Sequence, residues 1–233
     1  MTNAPDESAP VIAVDGPGGA GKGTICRHVA AALGWTLLDS GALYRLVGFD
    51  ATRKEVDLAD EAALAGLARE LSVEFLPGDD DLRILLDGRD VSADIRSEAA
   101  GLAASQVAAK PAVRAALIDR QRAFRRWPGL VADGRDMGSV VFPTAELKIF
   151  LTASVEERAR RRYKQLKDKG IDVSLSALSK DMADRDRQDT ERQVAPLKAC
   201  DDARVLDTTS MSIEQVVSRV LEWAQDVFPH TRA

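Results

Sequence analysis

Apolar and polar positions follow two rhythms along this chain. Residues 11–14, Val-Ile-Ala-Val, form an unbroken apolar run, the mark of a strand buried on both faces of a parallel sheet. A glycine-rich turn follows. From Thr24 the spacing of Ile25, Val29 and Leu33 is helical, and Gly34 supplies the stop. Residues 35–38 read as a second strand and 41 to about 53 as a second helix. Leucines at helical spacing predict a helix over 62–71. Residues 73–76 and 82–86 read as short strands around Pro77-Gly78-Asp79-Asp80-Asp81, a hairpin signal. Two helical stretches follow, parted near Lys110-Pro111. Beyond them lie strand-like runs at 130–132 and 147–151, an arginine-rich helix over 155–169 and a mostly helical segment over 174–192. A last strand at 204–206 and an amphipathic helix over 212–228 complete the pattern.

Strands alternate with helices at both ends of the chain, which predicts an α/β fold with a parallel sheet. A hairpin is foreign to a βαβ series, so residues from about 67 to 107 read as an insertion. The tail over 1–9 is expected to be disordered. Composition fits one sizeable domain: 233 residues, 45% hydrophobic and 30% charged. The net charge of −5 argues against general nucleic-acid binding. The opening residues hold no Lys, Arg or apolar run, so they do not read as a secretory signal. With no run of apolar residues near bilayer length, the expected location is cytoplasmic, without membrane partners. Cys26 and Cys200 have no metal or redox spacing, and Cys26 reads as a small buried hydrophobe. The two histidines, His28 and His230, sit in a helix and in the tail. Nucleophilic triads and histidine-zinc sites are therefore not expected.

The strongest chemical signal is Gly16-Pro17-Gly18-Gly19-Ala20-Gly21-Lys22-Gly23-Thr24, placed after a strand and before a helix. That is the context of a P-loop. Its glycines permit positive φ, so successive N–H groups can face phosphate oxygens, and the helix dipole adds to them. Lys22 would bridge the terminal phosphates, and Thr24 would orient Mg²⁺ or a phosphate oxygen. Gly23 separates Lys22 from Thr24, a variant similar to that of nucleoside monophosphate kinases. A GTPase would need an Asn-Lys-x-Asp element, and the only asparagine is Asn3.

Asp39-Ser40-Gly41 closes the second strand, where ligands of open α/β sheets sit. Ser40 and Tyr44 share a helix face, and Arg45 follows them. This reads either as a clamp for a monophosphate or as an N-cap serine beside a surface arginine. Asp133-Gly134-Arg135-Asp136 ends another strand. Asp133 there could hold the metal, directly or through water, and Arg135 could reach the transferred phosphoryl group; a plain surface turn is the alternative. Arg158, Arg160, Arg161, Arg162 and Lys164 crowd one helix, either as a solvated face or as arginines closing on transition-state charge. Arg185, Asp189 and Arg192 are spaced i, i+4, i+7, on one helical face. They form ion pairs among themselves, or Asp189 accepts from a base amino group.

Beyond these readings the chain resembles the bacterial cytidylate kinases over about residues 10–228. The resemblance is carried by VDGPGGAGKGT, LLDSGALYR, AASQVAAKPAVRAAL, QRAFRRWPGLVADGRDMGSVVFP and RDRQDTER with VAPLKACDDA after it. It implies a P-loop NTPase-type sheet carrying an inserted monophosphate-binding subdomain and a short lid. Core segments would be 10–40, 130–155 and 195–228, the acceptor region 41–129, and the lid about 156–192. The implied activity is MgATP-dependent phosphorylation of CMP and dCMP, with weak use of UMP. Ser40, Tyr44 and Arg45 would then lie near the acceptor. Ser105, Arg114 and Asp189 would recognise cytosine, Arg185 the sugar, and Asp136 would lie close by. Lys22, Arg135 and Arg192 would serve the phosphates, with Arg158, Arg161 and Arg162 in the lid and Arg162 acting in catalysis. One departure is Gly18, where many members carry Ser. The rivals to this reading are another P-loop small-molecule kinase, for example one acting on shikimate, and a non-catalytic nucleotide-binding module. A monomer is expected.

Overall fold

In chain order the strands are β1 Val11–Asp15, β2 Thr36–Asp39, β3 Val73–Leu76, β4 Arg83–Leu86, β5 Arg89–Asp90, β6 Leu130–Gly134, β7 Leu147–Thr152 and β8 Arg204–Asp207. The helices are α1 Lys22–Leu33, α2 Ser40–Arg53, α3 Glu61–Glu70, α4 Glu98–Ala108, α5 Pro111–Arg122, α6 Val155–Asp168, α7 Leu175–Glu191 and α8 Ile213–Val227. A 3₁₀ turn spans Asp94–Arg96 and a π-helical turn Met137–Val141. This computed structural model describes residues 6–76, 83–168 and 170–229. The expected 77–81 turn, Leu82, Lys169 and His230 lie outside the described residues. The chain divides into two compact units, Met1–Asp39 with Arg122–Ala233, and Ser40–Gln121.

The first unit is built on a five-stranded sheet in the order β2-β6-β1-β7-β8. Every pair in it is parallel. All five residues of β1 are buried, which is why its pattern is continuous rather than alternating. One apolar cluster joins Ile12 and Val14 of β1 to Ile25 and Val29 of α1 and to Val216, Val220 and Ala224 of α8. The last three recur every four residues, so one stripe of α8 is committed to the core. Ser212 and Gln215 close a capping box at the start of α8. Trp35 and Phe228 meet edge to face with ring centroids 5.2 Å apart.

The stretch before Pro10, expected to be disordered, is tied down from Asp6 onward. The Asp6 N–H donates to the Arg125 carbonyl at 2.9 Å, the Arg125 Nε donates to the Ala9 carbonyl at 2.7 Å, and Ala9 is fully buried.

The second unit carries the small antiparallel sheet β3-β4-β5. Its helices α2 and α4 cross closely at Gly48, where an added Cβ would stand 2.8 Å from the Cβ of Ala103. Buried Asp50 pairs with Arg53 at 2.7 Å and Lys54 at 2.8 Å, and Arg53 also pairs with Asp87 after β4. These pairs satisfy a carboxylate that burial would otherwise penalise.

One strand escaped the sequence reading, and one expectation needs correction. Strand β5 was not foreseen, because Arg89-Asp90 offers no apolar pattern; it forms by extending the ladder beyond the turn at Gly88. Arg192 is not on the helical face of Arg185 and Asp189. Helix α7 ends at Glu191, and Arg192 is extended with φ −61° and ψ 140°. The chain then turns back: the Leu197 N–H donates to the Asp189 carbonyl at 2.8 Å, and Ala195 takes φ 51°. Arg192 Nε donates to the Ala195 carbonyl and fixes that turn.

Candidate active site

In the first unit β1 delivers the chain into the glycine loop, and α1 begins at its far end. Gly19 and Gly21 take φ of 79° and 89°. These are left-handed values that a side chain would resist, and they let the loop curl its N–H groups inward. Helix α1 starts at Lys22, two residues earlier than the apolar spacing suggested, with Gly21 as its N-cap. The Lys22 ammonium is buried. It donates to the Pro17 carbonyl at 3.0 Å and stands 3.9 Å from Asp133 at the end of β6. Burial pulls the Lys22 pKa down, and the Asp133 carboxylate is the main opposing influence. A Cβ on Gly23 would lie 3.4 Å from Asp133 Oδ2, so that carboxylate faces the start of α1 next to Thr24.

Arg135 follows on the same β6 turn and pairs with Asp189 of α7. Asp189 also lies 3.7 Å from Arg192. Thus Arg135, from the β6 turn, joins Asp189 and Arg192, which the sequence had already grouped, while Arg185 lies one turn earlier on α7. Asp136 is buried beside them in sequence and accepts the Val140 N–H at 2.9 Å through its backbone carbonyl.

The arginine run of α6 splits into different roles. Arg158 is 2% exposed and its guanidinium donates to the Gly18 carbonyl of the glycine loop at 2.9 Å. It also pairs with Asp186 of α7. Arg161 donates to the Thr208 carbonyl at 2.6 Å and to Glu157 at 3.1 Å. Arg160 pairs with Glu157 on the exposed side, and Arg162 lies near Gln165.

Three residues of this unit escaped the sequence reading. Asp15, directly before Gly16, is buried and accepts the Met137 and Gly138 N–H groups at 2.8 and 2.9 Å. Burial pushes its pKa up from 3.8 to about 6, against the pull of those two hydrogen bonds. The protonated carboxyl therefore stabilises the fold fully below the unfolded value of 3.8, and that contribution is lost as pH rises through about 6. Its signal was a lone acid at the end of an apolar strand. Thr208 is buried after β8, at the carboxyl end of a strand where ligands of such sheets gather. Asp186 stood in plain view three residues before Asp189, but its partner Arg158 is 28 residues away.

In the second unit, Ser40 is the first residue of α2 and buried, Tyr44 is buried one turn on, and Arg45 is half-buried. The guanidinium of Arg114, from α5, lies 5.7 Å from the Tyr44 ring centroid and donates to the Ala108 carbonyl at 3.1 Å. Tyr44 and Arg114, far apart in sequence, are thus neighbours through a cation–π contact. Ser105 on α4 is half-buried and donates back to the Gly101 carbonyl at 3.2 Å.

A parallel sheet, a glycine loop leading into α1, a buried lysine beside a strand-end acid and arginines converging on them define a P-loop phosphotransferase. The comparison with known proteins narrows this. The family model for cytidylate kinase matches residues 12–226. A cytidylate kinase of Aeromonas salmonicida (strain A449) is 56% identical over 219 residues, covering 94% of this chain and 95% of that protein. One from Pseudomonas paraeruginosa (strain DSM 24068 / PA7) is 60% identical over 216 residues, covering 92% and 94%. Another from Pseudomonas putida (strain W619) is 58% identical over 217 residues, covering 92% and 95%. The chain belongs to the cytidylate kinase family. Among the described residues no helix is long and apolar enough to cross a membrane.

Proposed function

We propose that the protein transfers the γ-phosphoryl group of ATP to CMP or dCMP, giving ADP and CDP or dCDP. The observation that carries the reading is the glycine loop with buried Lys22 beside Asp133, within a chain matched along its length by one kinase family. The loop N–H groups from Gly18 to Thr24 hold the ATP phosphates. Lys22 exchanges its bond to the Pro17 carbonyl for phosphate oxygens. An oxygen of the acceptor monophosphate attacks the γ-phosphorus in line, the bond to ADP breaks, and its electron pair leaves with ADP. A phosphate monoester loses its second proton near about pH 6, so the attacking oxygen is already anionic and no histidine base is required. Arg135, Arg192 and Arg162 meet the charge that spreads over the phosphoryl oxygens.

Thr24 and Asp133 suit Mg²⁺. Both offer oxygen donors, and such sites use one or two protein ligands with substrate phosphates completing the shell. The ion would neutralise negative charge on the phosphate oxygens. Arg161, with Arg158 behind the loop, serves the ATP side. Ser40, Tyr44 and Arg45 bind the acceptor phosphate side, Ser105, Arg114 and Asp189 the cytosine, Arg185 the sugar, and Asp136 supports them.

The deciding assay is ADP release from MgATP with CMP, dCMP, UMP, AMP, GMP and shikimate offered singly. CMP and dCMP are expected to turn over fastest. A preference for another acceptor would discard the cytosine assignment, and no acceptor-dependent release would favour a non-catalytic nucleotide-binding module. Asp189→Ala should narrow the gap between CMP and UMP by about tenfold, the scale of one lost base contact. An unchanged CMP-to-UMP ratio of kcat/KM would remove the base-reading role.

A further inference from the structure

Helix α7 lays one face along the phosphate loop. A Cβ on Gly19 would meet Met182 Cε at 3.2 Å and Arg158 Cβ at 3.3 Å. One turn on from Met182, Asp186 takes the Arg158 guanidinium in a two-oxygen grip, with NH1 to Oδ1 at 3.0 Å and NH2 to Oδ2. Asp189, three residues further, takes Arg135. The spacing 182, 186, 189 is that of one helical stripe. The same Arg158 donates through NH1 to the Gly18 carbonyl at 2.9 Å and through Nε to the Ala153 carbonyl at 3.0 Å.

We propose that Asp186 is a positioning residue for ATP binding: it holds Arg158 so that Arg158 fixes the Gly18–Gly19 peptide with its N–H turned into the phosphate cradle. In a trans peptide the carbonyl and the N–H point opposite ways. Anchoring the Gly18 carbonyl outward on Arg158 therefore aims the Gly19 N–H to the opposite side, toward the loop's interior. No side chain resists rotation of this peptide plane, because both flanking residues are glycine and Gly19 sits at φ 79°. A rotated plane would present a carbonyl dipole to phosphate oxygens, which repels them. Arg158 alone is a long side chain with several rotamers. The charge-assisted fork from Asp186, together with the Nε bond to Ala153, leaves it one. Asp186 reaches the loop through Arg158, so the proposal places its effect on ATP affinity and not on the acceptor.

This inference rests on the reading of residues 16–24 as the ATP cradle. The test is equilibrium binding of a non-hydrolysable ATP analogue with Mg²⁺, and separately of CMP, to the wild type, Asp186→Asn, Asp186→Glu and Lys22→Ala. Asp186→Asn keeps the shape and loses the charge; it should weaken the ATP analogue about tenfold and leave CMP within about twofold. Asp186→Glu should recover part of the loss. ATP-analogue affinity within about twofold of the wild type in Asp186→Asn overturns the proposal. So does a matched weakening of both ligands, the signature of a loosened fold. If Asp186→Asn does not fold, Asp186→Glu decides by the same ATP-selective loss, and its absence overturns the proposal. Lys22→Ala separates the two readings. If it binds the ATP analogue as well as the wild type does, the cradle assignment falls and this inference with it. If it weakens binding while Asp186→Asn does not, only this inference falls.

Discussion

Replacing Lys22 by alanine is expected to leave the fold in place and remove nearly all turnover. The Lys22 side chain is buried, and its ammonium donates to the Pro17 carbonyl at 3.0 Å. Removing it strands no apolar neighbour at its head, which sits between the Pro17 carbonyl and the Asp133 carboxylate. What is lost is a cation aimed at the place where phosphoryl charge builds up, in a pocket where little water screens it. Loss of one such group costs about 10²–10³ in kcat, or roughly 3–4 kcal/mol of transition-state stabilisation. Circular dichroism and the melting temperature should stay close to those of the wild type, while ADP release with CMP falls to near background. Turnover above about a tenth of wild type would refute the role assigned to Lys22.

The features that were legible in the sequence are those with local causes. Strand β1 was readable because burial on both sides demands consecutive apolar residues, and α8 because Val216, Val220 and Ala224 mark one buried stripe. The glycine loop was readable because few other local patterns need so many positive φ angles before a helix. Features that depend on distant partners were not legible. In the helix α6 pattern Arg158 is one of several arginines, and nothing local separates it from Arg160. Its distinction lies in the Gly18 carbonyl, 140 residues earlier, and Asp186, 28 residues later. Arg160 meanwhile faces solvent with Glu157. Arg192 was misplaced because spacing extends a helix indefinitely, whereas α7 ends when Leu197 returns to the Asp189 carbonyl. Asp15 had a visible signal, an acid closing an apolar strand, but its partners come from the π-helical turn after β6, which no periodicity announces.

Replacing Gly16 by alanine should damage the protein far more than the same change at Gly18, two residues along the same loop. At Gly16 φ is 150°, and an added Cβ would stand 2.0 Å from the Leu151 carbonyl oxygen of β7. That oxygen belongs to the backbone of a buried strand whose neighbours pair in register with β1, Asp15 opposite Phe150. It cannot step aside without breaking the β1–β7 ladder. The methyl group therefore forces either a strand shift or a change of backbone conformation at the root of the loop, a cost of about 3 kcal/mol or more. For a chain of this size that lowers the melting temperature by about 6–12 °C. At Gly18 an added Cβ would meet only Arg135 NH2, at 3.3 Å. That atom is the far end of a flexible side chain, and Gly18 is not among the positive-φ glycines. Gly18→Ala should therefore stay within about 1 kcal/mol of the wild type. Thermal melts of the two variants side by side decide the matter. Equal and small shifts would show that the close approach at Leu151 does not constrain the loop; a large shift at Gly16 alone would show that the phosphate cradle is anchored by the sheet at its first residue, and left adjustable only where Arg135 and Arg158 reach it.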